Sequence, residues 1–208
     1  MNFNMWRCGF TGLTASLIVG CLIGTVSADE LASFSAPLKV EYERSDADFS
    51  QFDKLLISDL DLSETLIVPP PWLAETAFEW EVSADNAAHL NAEFLASMQD
   101  QISGNGGYEI VDEPGPGVMQ LSVRVVSFMP YAERTDEKAT TKGSGEMNIH
   151  VETRDSQTGE LLGIYEGPQE VGKDYQKNTD FTKQQNVKML FDSWGRRVRL
   201  ALDEGHGT

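Results

Sequence analysis

Two stretches of this chain carry apolar residues at helical spacing over several turns, and they limit the folds open to everything between them. In the later stretch, beginning near Asp180, Val187, Leu190, Phe191, Trp194, Val198 and Leu202 fall at i, i+3, i+4, i+7, i+11 and i+15. In the earlier one, Leu90, Phe94, Leu95, Met98 and Ile102 share one stripe. Ser83 or Asp85 can cap its start, and Gly104-Asn105-Gly106-Gly107 can end it. The remaining regular segments read as strands. Lys54-Leu55-Leu56-Ile57 is a buried type that passes into alternation by Leu62, and Tyr108 to Val111 is short. Val118 to Phe128 places Leu121, Val123 and Val125 on one face. Met147, Ile149 and Val151 alternate with polar neighbours, and Asp155 to Gly159 forms a hairpin loop into Leu161 to Tyr165. Two helices with one stripe each cannot cover both faces of a parallel sheet. The pattern therefore predicts a single α+β domain, a mainly antiparallel sheet with two amphipathic helices on one face. Gly195 costs its helix roughly 1 kcal/mol against Ala and is read as a close approach to the sheet.

The amino terminus is an export leader. Arg7 precedes an uncharged apolar run from Gly9 to Gly24, and the first acidic residue is Asp29. The run is short for a membrane span and closely followed by charge. Two cuts compete. Val26-Ser27-Ala28 presents the small residues an ordinary signal peptidase reads, giving cleavage after Ala28 and a free periplasmic protein. Ile18-Val19-Gly20-Cys21 looks like a lipobox, giving lipidation of Cys21 and an anchor in the outer membrane as the alternative. The apolar Leu22-Ile23-Gly24 after the cysteine favours the first. The expected divisions are a signal peptide over 1–28, a flexible lead-in over 29–48, one domain over 49–204 and a tail over 205–208. Pro130 to Gly145 is polar and reads as a mobile excursion.

Cys8 and Cys21 both lie in the leader, so a product cut after Ala28 has no disulfide, thiol nucleophile or cysteine metal site. The formal charge of −17 repels nucleic acid and anionic headgroups, and the membrane is reached only through a lipid anchor on Cys21. His89, His150 and His206 show no metal-ligand spacing. Asp59, Asp61 and Glu64 allow a weak carboxylate-dependent hydrolase as an alternative, against a plain solvated strand face, and Cys21 allows a structural outer-membrane lipoprotein as another. There is no Gly-x-Ser-x-Gly elbow, and Gly104 to Gly107 follows a helix instead of opening one, unlike a phosphate cradle. No catalytic, metal or cofactor residue is assigned, and the expectation is a non-enzymatic binding domain. Its candidate surface is Trp72, Phe78 and Trp80 around the stiff Pro69-Pro70-Pro71, facing an envelope protein or a small apolar ligand. The plainer reading has these rings covering one end of the core.

Four segments together resemble a known family. They are Phe52-Asp53-Lys54, the run Gly107-Tyr108-Glu109-Ile110-Val111-Asp112-Glu113-Pro114-Gly115-Pro116-Gly117, then Asp155-Ser156-Gln157-Thr158-Gly159-Glu160-Leu161-Leu162, and Phe191-Asp192-Ser193-Trp194. In this order they are similar to the bacterial domain of unknown function 3313, over about Phe49 to Asp203. That resemblance implies an exported envelope protein, in many members a lipoprotein, with no activity and no catalytic residue to transfer. The apolar residues after Cys21 depart from the polar start of the family's lipoproteins. More loosely, the order of elements is similar to small envelope domains that act by binding other proteins.

Overall fold

The computed structural model describes residues 31–73 and 80–207. Its strands are β1 (Lys39–Glu43), β2 (Lys54–Ile57), β3 (Leu66–Ile67), β4 (Glu109–Ile110), β5 (Val118–Pro130), β6 (Thr140–Lys142), β7 (Gly145–Asp155), β8 (Leu161–Val171) and β9 (Tyr175–Lys177). Its helices are α1 (Ala84–Ser103) and α2 (Asp180–His206). A single 3-10 turn at Phe49–Gln51 precedes β2.

The α+β class holds, but the sheet is mixed. Its order is β1-β8-β7-β5-β2-β4, with β3 also on β5. β5, β7 and β8 form a long antiparallel meander, and β1 joins its edge antiparallel to β8. β2, β3 and β4 pair parallel. The cause is the route of the chain: α1 lies between β2 and β5, and a helical crossover returns the strand in the same direction. One crossover helix suffices for this, so a two-helix chain need not be purely antiparallel, while its long strands keep the sheet mainly so. β2, β3 and an isolated bridge from Asp61 to Arg124 share one flank of β5 in succession.

Alternation along β5 and β7 sends Leu121, Val123, Val125, Met147, Ile149 and Val151 into one core. α1 meets that core with Phe94, Met98 and Ile102, and α2 with Leu190, Phe191, Trp194 and Leu202. Phe94 and Phe191 are fully buried and meet edge to face with centroids 5.6 Å apart. Burial of each such ring stabilises the fold by roughly 1.5–3 kcal/mol. Both helices thus cover the same face. The opposite face is polar and carries a row in register across β5, β7, β8 and β1: Arg124, His150, Glu166 and Lys39.

Both helix starts are capped as the residue types dictate. Ser83 accepts from the backbone of Asn86, and Thr179 forms a capping box with Thr182. The close approach at Gly195 is to α1, not to the sheet. A Cβ there would lie 2.9 Å from Gln101 Cβ and 3.3 Å from the Ser97 carbonyl oxygen.

Other segments are more ordered than their composition suggests. Residues 31–48, read as a flexible lead-in, contain β1 and a strap on α2. Ser35 is buried there, its carbonyl accepting from the Arg197 guanidinium at 2.6 Å and its hydroxyl from Arg197 Nε at 2.6 Å. The excursion at 130–145 contains β6, which pairs with β9 in a second small sheet. The buried Asn178 holds it by donating to the carbonyls of Glu133 at 2.8 Å and Asp136 at 3.0 Å. The expected tail from residue 205 continues α2 to His206, and Gly207 closes it in the left-handed conformation.

Candidate functional site

A cleft of about 380 Å³ opens between the first turns of α1 and α2, over the carboxyl-terminal end of β5. Its floor is the sheet: Val125, Phe128 and Met147. Leu90 of α1 and Val187 of α2 form facing walls, and Trp80 closes the outer side. A β-bulge makes the floor. The register shifts between Val125 and Ser127, so Val126 is the extra residue and Phe128 turns inward opposite Met147. Ser127 turns outward and accepts from Asn148 Nδ2 at 3.2 Å. Gly145 leaves room for the Phe128 ring, because a Cβ there would come within 2.6 Å of Phe128 Cε2.

The rim is polar. Lys183 Nζ lies 2.9 Å from Asp180 and donates to the Arg134 carbonyl at 3.0 Å. Lys183 holds the Asp180 carboxyl below the usual carboxylate range, with Arg134 adding to the effect. With its amide turned so that donors meet acceptors, Asn86 accepts from the Arg134 guanidinium at 3.2 and 3.3 Å. Asn186 donates to Ser144 Oγ at 2.7 Å on the inner rim. That bond occupies the serine with an amide, which cannot activate it as a base would.

Of the two described members of the aromatic surface expected at Trp72, Phe78 and Trp80, Trp80 lines the cleft, its ring edge-on to Phe128 at 5.6 Å. Its Nε1 donates to the Ala132 carbonyl at 3.2 Å. Trp72 stands outside, 62% exposed, its ring 5.7 Å from Tyr131 and its Nε1 on the Tyr131 carbonyl at 3.3 Å. The two indoles thus donate to successive carbonyls just beyond the end of β5. Phe78, Cys21 and Ala28 lie outside the described residues.

The carboxylates do not converge. Asp59 accepts from Asn91 Nδ2 at 2.9 Å, while Asp61 accepts from the Ser63 backbone at 3.0 Å and its hydroxyl at 2.7 Å. Those Ser63 bonds hold the Asp61 carboxyl low. Glu64 is exposed. His89 is on the rim of the cleft, His150 on the outer face of the sheet, and His206 at the end of α2. No cluster of three metal-binding side chains occurs among the described residues. A second, open depression beside Arg44 has that guanidinium engaged by Asp46 and Glu160.

Arg134, Lys183, Ser144 and Asn186 were not legible as site residues. They come from the excursion and the first turns of α2, where no spacing marks them.

A family model described as "Protein of unknown function (DUF3313)" matches residues 32–198, from the strap to near the end of α2. The chain belongs to the DUF3313 family. Three of the family-like segments meet at the end of β5 opposite the cleft. There the Gly115 backbone donates to Ser156 Oγ at 3.1 Å, the Asp53 backbone N–H donates to the Gly117 carbonyl at 3.1 Å, and the Tyr108 hydroxyl donates to Asp203 at 3.0 Å. These residues of the DUF3313 chain hold its fold together and do not line its cleft.

A search of curated proteins found no match. Among solved structures, a Xanthomonas campestris protein of the family DUF330 aligns with a TM-score of 0.45 at 11% identity, covering 82% of this chain and 98% of its own. The PelC dodecamer of Paraburkholderia phytofirmans gives 0.34 at 8%, over 76% and 98%. A minor lipoprotein of Acinetobacter baumannii gives 0.33 at 8%, over 75% and 94%. Likeness at this level says nothing about activity. Among the described residues, no helix is long and apolar enough to cross a membrane.

Proposed function

We propose that this chain is a non-enzymatic binding domain of the cell envelope whose cleft beneath Trp80 holds a small apolar ligand. The observation that carries this is the cleft itself: about 380 Å³, floored and walled by Val125, Phe128, Met147, Leu90 and Val187. Small-molecule sites have this size and this lining, with a few polar groups at the mouth. Asp59 and Asp61 are each occupied by local donors, which supports binding over carboxylate hydrolysis. The leader ending at Ala28 or Cys21 supports the envelope location.

The test uses the neutral fluorophore N-phenyl-1-naphthylamine on the mature protein. Wild type is expected to bind it saturably, and Trp80→Ala about tenfold more weakly for loss of one aromatic wall. Trp72→Ala is expected to match wild type. No saturable binding, or equal binding by Trp80→Ala, would overturn the reading. Intact mass of the exported protein tests its state in the envelope: a start at Asp29 means a free protein, and an acylated Cys21 a tethered one.

A further inference from the structure

We infer that the cleft end of the molecule is a membrane-contact surface, which rests on a neutral lipid bilayer through Trp72, Tyr175 and Phe181. The contact goes beyond the binding reading above and does not depend on what the cleft holds.

Exposed apolar side chains are unevenly placed on this fold. Pro130, Gly145 and Val171 stand in register across β5, β7 and β8 and mark one end of the sheet. Eight large apolar side chains are exposed among the described residues. Six of them, Leu66, Val68, Trp72, Val126, Tyr175 and Phe181, lie at this end or just beyond it, Tyr175 at 79% exposure. The other two, Val40 and Tyr42, belong to β1. The opposite end has none among the described residues. Its segments 104–117, 155–160 and 203–207 carry seven acidic residues and no lysine or arginine. The segments beyond the cleft end, 131–144 and 172–183, carry six basic and five acidic residues. Glu81 and Asp85 at the start of α1 add two acids, so this end is of mixed sign. Much of the formal charge of −17 therefore falls away from the apolar end, and a zwitterionic surface is not repelled there.

The aromatic types select a lipid surface as the occupant. Trp72 stands against Tyr131, Tyr175 is on β9 and Phe181 is in the first turn of α2, so the rings project from three separate elements. Side chains of this kind enter the boundary of a bilayer one by one, and indole and phenol keep their polar atoms at headgroup level. The described chain also enters at this end. The Ser33 carbonyl accepts from Lys173 Nζ, two residues before Tyr175. An acyl group on Cys21 would therefore reach the bilayer from the side on which these rings stand.

The unacylated mature protein separates this contact from any anchor on Cys21. Wild type is expected to co-sediment with phosphatidylcholine vesicles, equally at low and high salt, because apolar insertion is not screened. Tyr175→Ser with Phe181→Ser, both at exposed positions, is expected to bind about tenfold more weakly while keeping the wild-type urea midpoint. Brominated phosphatidylcholine is expected to quench the added fluorescence of Tyr175→Trp but not that of Gln157→Trp, in the hairpin at the opposite end. No binding by wild type, full binding by the double variant, or equal quenching at both ends would overturn the contact. Binding that requires phosphatidylglycerol and disappears in salt would overturn the apolar mode. Dimers that form without lipid and are abolished in the double variant would assign this end to a second copy and overturn the membrane.

Discussion

Trp194 Nε1 donates to Gln169 Oε1 at 3.2 Å inside the core, and Gln169 is completely buried. The same amide donates through Nε2 to the carbonyls of Ala36 at 3.1 Å and Pro168 at 2.8 Å. One side chain therefore joins α2, β8 and the strap. Gln169→Leu would leave the indole N–H and the Ala36 carbonyl unpaired away from water. The expected loss is about 3 kcal/mol of unfolding free energy by urea titration. A loss well under about 1 kcal/mol would mean that water reaches the Trp194 site.

Gly195→Ala sets two effects against each other. Helix propensity favours alanine by about 1 kcal/mol. The new methyl would lie 2.9 Å from Gln101 Cβ, on the neighbouring helix, and 3.3 Å from the Ser97 carbonyl oxygen. Overpacking of this kind costs about 1–3 kcal/mol, so the variant is expected to be less stable, and Gly195→Leu much less. A rise in melting temperature for Gly195→Ala would show that α1 can yield at no cost.

His150 makes the stability of the sheet depend on pH. Burial pushes its imidazole down, but Glu166 at 2.5 Å from Nδ1 and Glu152 at 3.0 Å from Nε2 outweigh this, even against Arg124. The net shift is upward from 6.5. Both ring nitrogens face carboxylates, and only the imidazolium donates from both. A group whose pKa is higher folded than unfolded stabilises fully below its unfolded value, and this contribution fades as pH rises through the folded value. Urea midpoints of wild type are therefore expected to fall as pH rises above 6.5, and His150→Gln to lose that part of the slope. Parallel profiles for the two proteins would refute the assignment.

Asn178→Ala frees the backbone of the 130–145 segment, since the amide supplies bonds to Glu133 and Asp136. Limited proteolysis is expected to cut within this segment several times faster than in wild type, with global urea stability reduced by only about 1–2 kcal/mol. Uniform fragmentation of the domain would instead place Asn178 at the centre of its cooperative unit.

What could be read from the sequence was set by period and by local stops. The stripe from Val187 to Leu202 gave α2 its face and a start near Asp180, where the structure adds a cap from Thr179 and Thr182. The strands from Val118 and Met147 showed their inward residues by alternation. What escaped depends on partners distant in sequence. Asn178 orders a polar loop some forty residues away, a debt that composition cannot show. The direction of β2 against β5 follows from the crossover through α1, and Gly195 looked the same facing a sheet or a helix. The cleft is legible only in part: Trp80 stood out by type, whereas Phe128 turns inward because of a bulge at Val126 that no local residue announces.

The strap on α2 also acts as a ruler. Ala32 is its first buried residue, eleven positions beyond Cys21. Fully extended, that length of chain reaches about 40 Å, close to the thickness of a bilayer with its headgroups. If Cys21 carries the lipid, the docked strap leaves only this short leash. The body is then confined to a shell against one membrane, where a ligand leaving that membrane has little distance to travel.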